Sequence, residues 1–209
     1  MTKKETTVVS ISKPDIRTVI FQLEGMSPLV IHKFSKKAFD KMKAAQEAGS
    51  KNKSKNAKAP KDFEEEYEGA KRISTDGWCG INAACFRNAM ISACRAAGFV
   101  MTRAKLGVFI EPDGFDASDG APLVKITGGD PEMWVASVRL NGTTTDLRAR
   151  PMWRNWGCNL RVKFDAGMFS ETDVANLLTR AGIQVGIGEG RPDSKSSNGL
   201  GYGLFQIKN

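Results

Sequence analysis

Hydrophobic and polar positions alternate with different periods along this chain, and each period predicts an element. Residues 18–23, Thr-Val-Ile-Phe-Gln-Leu, are β-branched, aromatic and apolar and read as a strand. Pro28-Leu29-Val30-Ile31 continues or caps it. Residues 81–97 contain Ala, Cys, Met and Ile without Gly or Pro, which predicts a helix stopped at Gly98. Asn88, Ser92 and Arg95 share one polar face of that helix, with Arg87 near its edge, and the remaining circumference is small and apolar, suited to packing on a sheet. Residues 106–110 predict a short strand, and a loop with many Asp and Gly runs from Glu111 to Gly120. Val135 to Leu140 then meets Thr143 to Leu147 across Asn141-Gly142, a dipeptide suited to a type I′ hairpin turn. Residues 158–164 alternate apolar and polar as a half-buried strand.

Toward the C-terminus, Ser170-Glu171-Thr172-Asp173 reads as a capping-box start, followed by Val174, Leu177, Leu178 and Ala181 at helical spacing. Gly182 is expected to end that helix, Ile183 to Ile187 to form a strand, and Tyr202 to Ile207 the last strand. Strand, helix, strands, helix, strand is the split β-α-β plan. The expected fold class is therefore α+β, a modified RRM- or ferredoxin-like antiparallel sheet with helices on one face. The opposite sheet face would be free to bind, as in RNA-recognition folds.

Composition changes this picture in one place. From Lys33 to Lys61 the chain is rich in Lys, Ala, Asn and Ser, and residues 49–56 hold nothing apolar. A mobile loop is expected there, preceded by a short polar helix over 35–47. The acidic run Asp62 to Glu68 is expected to neutralise part of this basic stretch. The whole chain of 209 residues is thus one domain with a flexible Lys-rich insertion at about 35–75 and a hairpin insertion at about 112–156, and no long repeat.

Charge narrows the partner. Lys and Arg total 31 against 23 Asp and Glu, a formal net charge of +8, which favours a polyanion, usually nucleic acid. No apolar run approaches the roughly 20 residues that span a bilayer, and Met1 to Glu5 leads into no long apolar stretch, so no membrane partner and no secretory signal are expected. Cys79, Cys85, Cys94 and Cys158 form no C-x-x-C pair and only one His exists, which argues against a zinc site and for reduced thiols in the cytoplasm. No metal or cofactor is expected.

The most informative chemistry is Gly186-Ile187-Gly188-Glu189-Gly190-Arg191-Pro192 with Asn198-Gly199-Leu200-Gly201-Tyr202-Gly203 beyond it. Glycines let backbone N–H groups converge on an anion, and Arg191 and Lys195 add charge. The alternative is a hairpin whose glycines only permit turns. No helix follows, so this is neither a P-loop nor a Rossmann fingerprint.

Three blocks carry a resemblance. They are Ser27-Pro28-Leu29-Val30-Ile31 after the opening strand, the helix Gly80-Ile81-Asn82-Ala83-Ala84-Cys85-Phe86-Arg87-Asn88-Ala89-Met90, and Ser170 to Ile207 with its glycine-rich loop. Together they resemble the RAMP superfamily, the RNA-binding proteins of CRISPR–Cas systems, and within it the backbone subunit of the effector complexes. The resemblance covers less than half the chain. It implies a modified RRM-like palm, a hairpin thumb over 120–156, and copies of the subunit stacked along single-stranded guide RNA, with other effector subunits as further partners. The thumb of one copy would kink the strand held by its neighbour. Asp40 stands where RNA-cutting relatives place an Asp, but its context, Ala38-Phe39-Asp40-Lys41, differs, so no catalytic residue is carried over.

The candidate nucleic-acid contacts are His32, Lys33, Lys36, Lys37, Arg87, Asn88, Arg95, Arg148, Arg150, Trp153, Arg154, Gly188, Gly190, Arg191, Ser194, Lys195, Ser197 and Asn198. The arginines would hold phosphates while an interleaved tryptophan stacks on a base. Of Trp153 and Trp156, one is expected in the core and the other beside the ligand. The lysines could track a backbone by counterion release, or merely solvate a loop. The expected function is sequence-independent binding of single-stranded RNA, or single-stranded DNA, without catalysis. Two alternatives stand beside it. One is a guide-processing endoribonuclease with His32 as general base; the other is an assembly or decoy protein, phage-borne for example, that borrows the fold.

Overall fold

Alternation along two central strands decides where the core lies. The computed structural model describes residues 12–34, 36–47, 60–140, 144–194 and 200–208. In chain order the strands are β1 (Ile16–Gly25), β2 (Leu29–Val30), β3 (Gly80–Asn82), β4 (Val108–Glu111), β5 (Gly114–Phe115), β6 (Pro122–Lys125), β7 (Glu132–Leu140), β8 (Thr144–Trp153), β9 (Gly157–Asp165) and β10 (Phe205–Ile207). The α-helices are α1 (Lys36–Glu47), α2 (Phe63–Ala70), α3 (Ala83–Ala96), α4 (Met101–Gly107) and α5 (Glu171–Arg180).

In β9, Cys158, Leu160, Val162 and Phe164 are buried while Asn159 and Lys163 are exposed. The paired strand β1 follows suit: Leu23 is buried and Val19 and Phe21 pack on the core, whereas Ile20 faces outward. Onto the inner face fall Phe86, Met90 and Cys94 of α3 and Val174, Leu177 and Leu178 of α5, in one cluster with Phe205. Each large side chain so buried contributes about 2 kcal/mol of transfer free energy. Helices therefore cover one face of an antiparallel sheet whose order is β10-β1-β9-β4, with α3 between β1 and β4 and α5 between β9 and β10. The class is α+β. No helix among the described residues is long and apolar enough to cross a membrane.

Two small antiparallel sheets, β2-β8-β7 and β3-β6-β5, flank the main one. Pro28 to Ile31 does not prolong β1. The chain breaks at Met26-Ser27, and Leu29 and Val30 pair with Trp153 and Met152 in the sheet of the hairpin. The β7–β8 hairpin forms as its alternation predicts, but Leu140 faces Thr144 rather than Thr143. That one-residue difference in register sets which side chains share a face; the Asn141-Gly142 turn lies outside the described residues. The expected strand over 106–110 is helical through Gly107 and extended from Val108. At its start α3 is shorter than expected, because Gly80–Asn82 pair with β6 and the Asn82 side chain caps the helix through the Ala84 N–H.

The capping box at Ser170 and Asp173 is present. Beyond it the helix does not stop at Gly182. A π-helical turn, Ala181–Val185, continues it where a strand was expected, closed by the Gly186 N–H donating to the Ala181 carbonyl at 2.9 Å. Ile183 and Val185 are β-branched, which favours strand locally, but Val185 lies on the same buried face as Val174, Leu178 and Ala181, and that burial decides. Gly182 serves a different need: a Cβ there would lie 2.1 Å from the Phe205 carbonyl oxygen, so only glycine lets β10 pass so close. The last strand is accordingly Phe205–Ile207, and Tyr202 sits in the turn before it.

The Lys-rich insertion contains structure at both ends. Residues 36–47 form α1, residues 48–59 lie outside those described, and the acidic run forms α2, capped by Asp62. Most of the basic run lies outside the described residues, and α2 has another role. It lies along the edge of β8, where Glu66 accepts from the Ala149 N–H and Lys61 donates to the Leu147 carbonyl, closing a strand edge that would otherwise be open.

Candidate functional site

A cleft of about 870 Å³ opens between the end of β2, one face of α3, the β7–β8 hairpin and the glycine-rich segment. The hairpin supplies Trp134, Arg148 and Arg150, because the observed register puts Trp134 opposite Arg150 on one face. The polar face of α3 supplies Asn88 and Ser92, and Arg95 at its end reaches Asp193 of the glycine-rich segment at 2.5 Å. Gly188, Gly190, Arg191 and Ser194 line the far wall. Gly188 is held at φ 77° with its Cα against β2, and the next amide, of Glu189, donates to the Val30 carbonyl at 2.8 Å. Among the described residues the amides of Gly188, Gly190 and Arg191 have no backbone acceptor.

Five cations and three carboxylates line this cleft, and most are already paired with each other or with neighbours. Arg150, only 5% exposed, binds Glu189 at 2.9 Å and Glu66 at 3.4 Å. Arg148 lies 3.5 Å from Glu66 and 2.9 Å from Asp146. Its Nε is out of line for a hydrogen bond to that carboxylate, and it is the one buried side-chain N or O among the described residues with no hydrogen-bond partner. The atom is enclosed, and its charge is met by the Asp146 carboxylate, which Lys61 and Arg148 together hold below the ordinary carboxylate range. Arg191 donates to the Gly188 carbonyl at 2.9 Å and has no carboxylate in ion-pair range among the described residues.

His32 lines the cleft without a hydrogen-bond partner among the described residues. Desolvation pushes its imidazole below the usual histidine range; Arg150 and Arg148 push the same way, and Glu189 and Glu66 oppose them. These surroundings bias the ring toward its neutral form. Cys85 sits on the α3 wall, its thiol pushed up by burial against the opposing pull of Arg191 and Arg72. All four cysteines are free thiols; Cys94 and Cys158 are core residues, and burial drives Cys158 to about 12.

Several expected contacts have other occupations. Trp153 is 2% exposed and donates from Nε1 to the Gly129 carbonyl, and Trp156, 5% exposed, donates to the Ser27 carbonyl, so both tryptophans belong to the core. Each fills space between sheets, which an apolar ring with one satisfied N–H does well. Lys33 is a cleft residue, but its ammonium is held by Asp116 at 2.8 Å and by Ser118. Arg87 reaches around the edge of β4 to the Val108 and Lys105 carbonyls, away from the cleft lining. Arg154 is exposed and pairs with Glu132. Nothing is described of the Lys36 and Lys37 side chains, and Lys195, Ser197 and Asn198 lie outside the described residues.

The sequence reading missed Glu66, Arg72, Trp134, Glu189 and Tyr202 in the lining. For Trp134 a signal existed, since period-2 alternation across the hairpin puts it on the arginine face once the register is known. No protein-family model matches the chain, and no curated protein matches it.

Proposed function

We propose that this protein binds single-stranded nucleic acid, RNA foremost, in the cleft between the hairpin and the glycine-rich segment, without reading base sequence and without cleaving it. The observation that carries the reading is the convergence of Arg148, Arg150 and Arg191 with the glycine-rich wall, in a cleft lined by five cations and three carboxylates. Guanidinium groups suit phosphate geometry, and Arg191 has no carboxylate in ion-pair range among the described residues. The strand order β10-β1-β9-β4 with α3 and α5 on one face supports an RRM-like, split β-α-β core. That order and the three sequence blocks support a RAMP-like subunit that repeats along one strand in a cytoplasmic ribonucleoprotein, with CRISPR effector subunits as neighbours.

The test is binding of a fluorescent single-stranded RNA by the purified protein over a range of salt. Affinity should fall steeply with salt, whatever the base composition. Absence of salt-sensitive binding to single-stranded RNA and DNA alike refutes the reading.

A second reading, a guide-processing endoribonuclease, is favoured by one observation: His32 lines the cleft, among surroundings that push its imidazole toward the neutral form a general base requires. Cleavage of a hairpin RNA that disappears in His32→Ala would establish it; an intact RNA with the parent protein removes it.

A further inference from the structure

We infer that Trp134 and Tyr202 form a nucleobase-stacking seat in the cleft; this rests on the reading of the cleft as a single-strand site. Trp134 projects from β7 opposite Arg150. Tyr202 stands in the turn before β10, its backbone N–H donating to the Gly190 carbonyl at 3.2 Å. Its ring lies on Gly190, where a Cβ would approach Cδ2 to 3.0 Å, so glycine at φ 77° gives the aromatic ring its place. The two rings meet edge to face, centroids 5.7 Å apart at 77°. Both residues are half-buried and both line the cleft.

Their polar atoms separate them from the core aromatics. Nε1 of Trp153 and of Trp156 and the hydroxyl of Tyr67 each donate to a backbone carbonyl. Among the described residues neither Nε1 of Trp134 nor the Tyr202 hydroxyl has a hydrogen-bond partner. An aromatic pair built only to join the hairpin to the glycine-rich segment would gain by satisfying those atoms. Left unsatisfied at a cleft, they face water or a ligand. The ligand class follows from the surroundings. Aromatic faces next to Arg148, Arg150 and Arg191 suit a group that is flat and apolar on one side and anionic on the other, which describes a nucleotide within a strand. Every base has a π-face, so the seat accepts any of the four.

The experiment compares a uridine RNA with an abasic strand of the same length, by fluorescence anisotropy at fixed salt. The parent protein is expected to bind the base-bearing strand about five- to a hundred-fold more tightly. Trp134→Leu and Tyr202→Leu keep apolar bulk but remove the π-face, and should bring the two strands to equal affinity while leaving the abasic affinity and its salt dependence unchanged. Trp134→Phe should retain most of the preference. Equal affinities in the parent protein overturn the seat, as does an equal loss for both strands in Trp134→Leu, which is what a structural clasp would give. Failure of both strands to bind the parent protein in a salt-sensitive way overturns the single-strand reading itself, and the seat with it.

Discussion

Replacing Asp116 with Asn tests whether the wall of the cleft is held by a buried charge. The Asp116 side chain is 1% exposed and accepts from Lys33 at 2.8 Å and 2.9 Å, from Arg72 at 3.1 Å, and from the Ser118 N–H and hydroxyl at 2.9 Å and 2.7 Å. It thereby ties the exit of β2 to the β5–β6 hairpin and to the segment before β3. These partners outweigh the desolvation that opposes them and hold its carboxyl at about 2, against the ordinary 3.8. A depression of that size is worth about 2 kcal/mol of folding free energy. Because the folded value is the lower one, this stability is fully present above about pH 4 and is lost as pH falls through about 2. Asp116→Asn removes the charge at every pH and leaves Lys33 unpaired in a site where it is 11% exposed. The neutral-pH cost is about 3 kcal/mol. Urea unfolding of both proteins at pH 7 and near pH 2 reads the difference directly. The gap between parent and variant should narrow by about 2 kcal/mol at the acid end, since near pH 2 the parent carboxyl is half protonated in the folded state and almost wholly protonated in the unfolded one. A gap of the same size at both pH values refutes the argument that the carboxylate's charge, rather than its shape, holds this wall.

Two further predictions concern the cleft. Glu66→Gln releases part of the hold on Arg148 and Arg150 while keeping side-chain size; single-stranded RNA should bind several-fold more tightly with a steeper salt dependence, and weaker binding would contradict the role of Glu66 as a competitor for phosphate. His32 is depressed in the free protein, so phosphates brought near it should raise its pKa; binding then takes up a proton and affinity should rise as pH falls from about 8 to about 5.5, a trend that His32→Gln should abolish. The same depression means that His32 destabilises the unliganded fold as pH drops below its ordinary 6.5.

How much of this was legible depended on the distance over which each signal acts. The β9 alternation, the capping box of α5 and the stop of α3 at Gly98 are local, and the structure carries all three. The π-helical turn was hidden because β-branched residues argued for strand, while the spacing of Val174, Leu178, Ala181 and Val185 argued for one continuing helical face. Gly182 misled because a glycine required by the approach of Phe205 looks in sequence like a glycine required by a helix end. In the site, Asn88 was legible from the polar face of its helix, Arg148 and Arg150 from an arginine cluster, and Arg191 from the glycines around it. Trp134 and Tyr202 were not, since their meeting depends on how the hairpin lies over the glycine-rich segment. The carboxylates were least legible of all, since only the fold brings Glu66 to Arg148 and Arg150.

That last point alters the meaning of the net charge of +8. A count of basic residues would predict one phosphate contact for each cation in the cleft. Lys33 and Arg72, however, are held by Asp116, and Arg150 lies between Glu66 and Glu189. Pairs of this kind, with little access to solvent, are screened weakly by salt and exchange partners at a desolvation cost. A phosphate would therefore engage Arg191 first, and gain Arg148 or Arg150 only by displacing a carboxylate. The number of counterions released should be smaller than the number of cations lining the cleft, and aromatic contact must then supply what Coulomb attraction does not. If the cleft binds a single strand as proposed, the carboxylates would make it selective for ligands that offer both an anion and a stacking face, over anions alone.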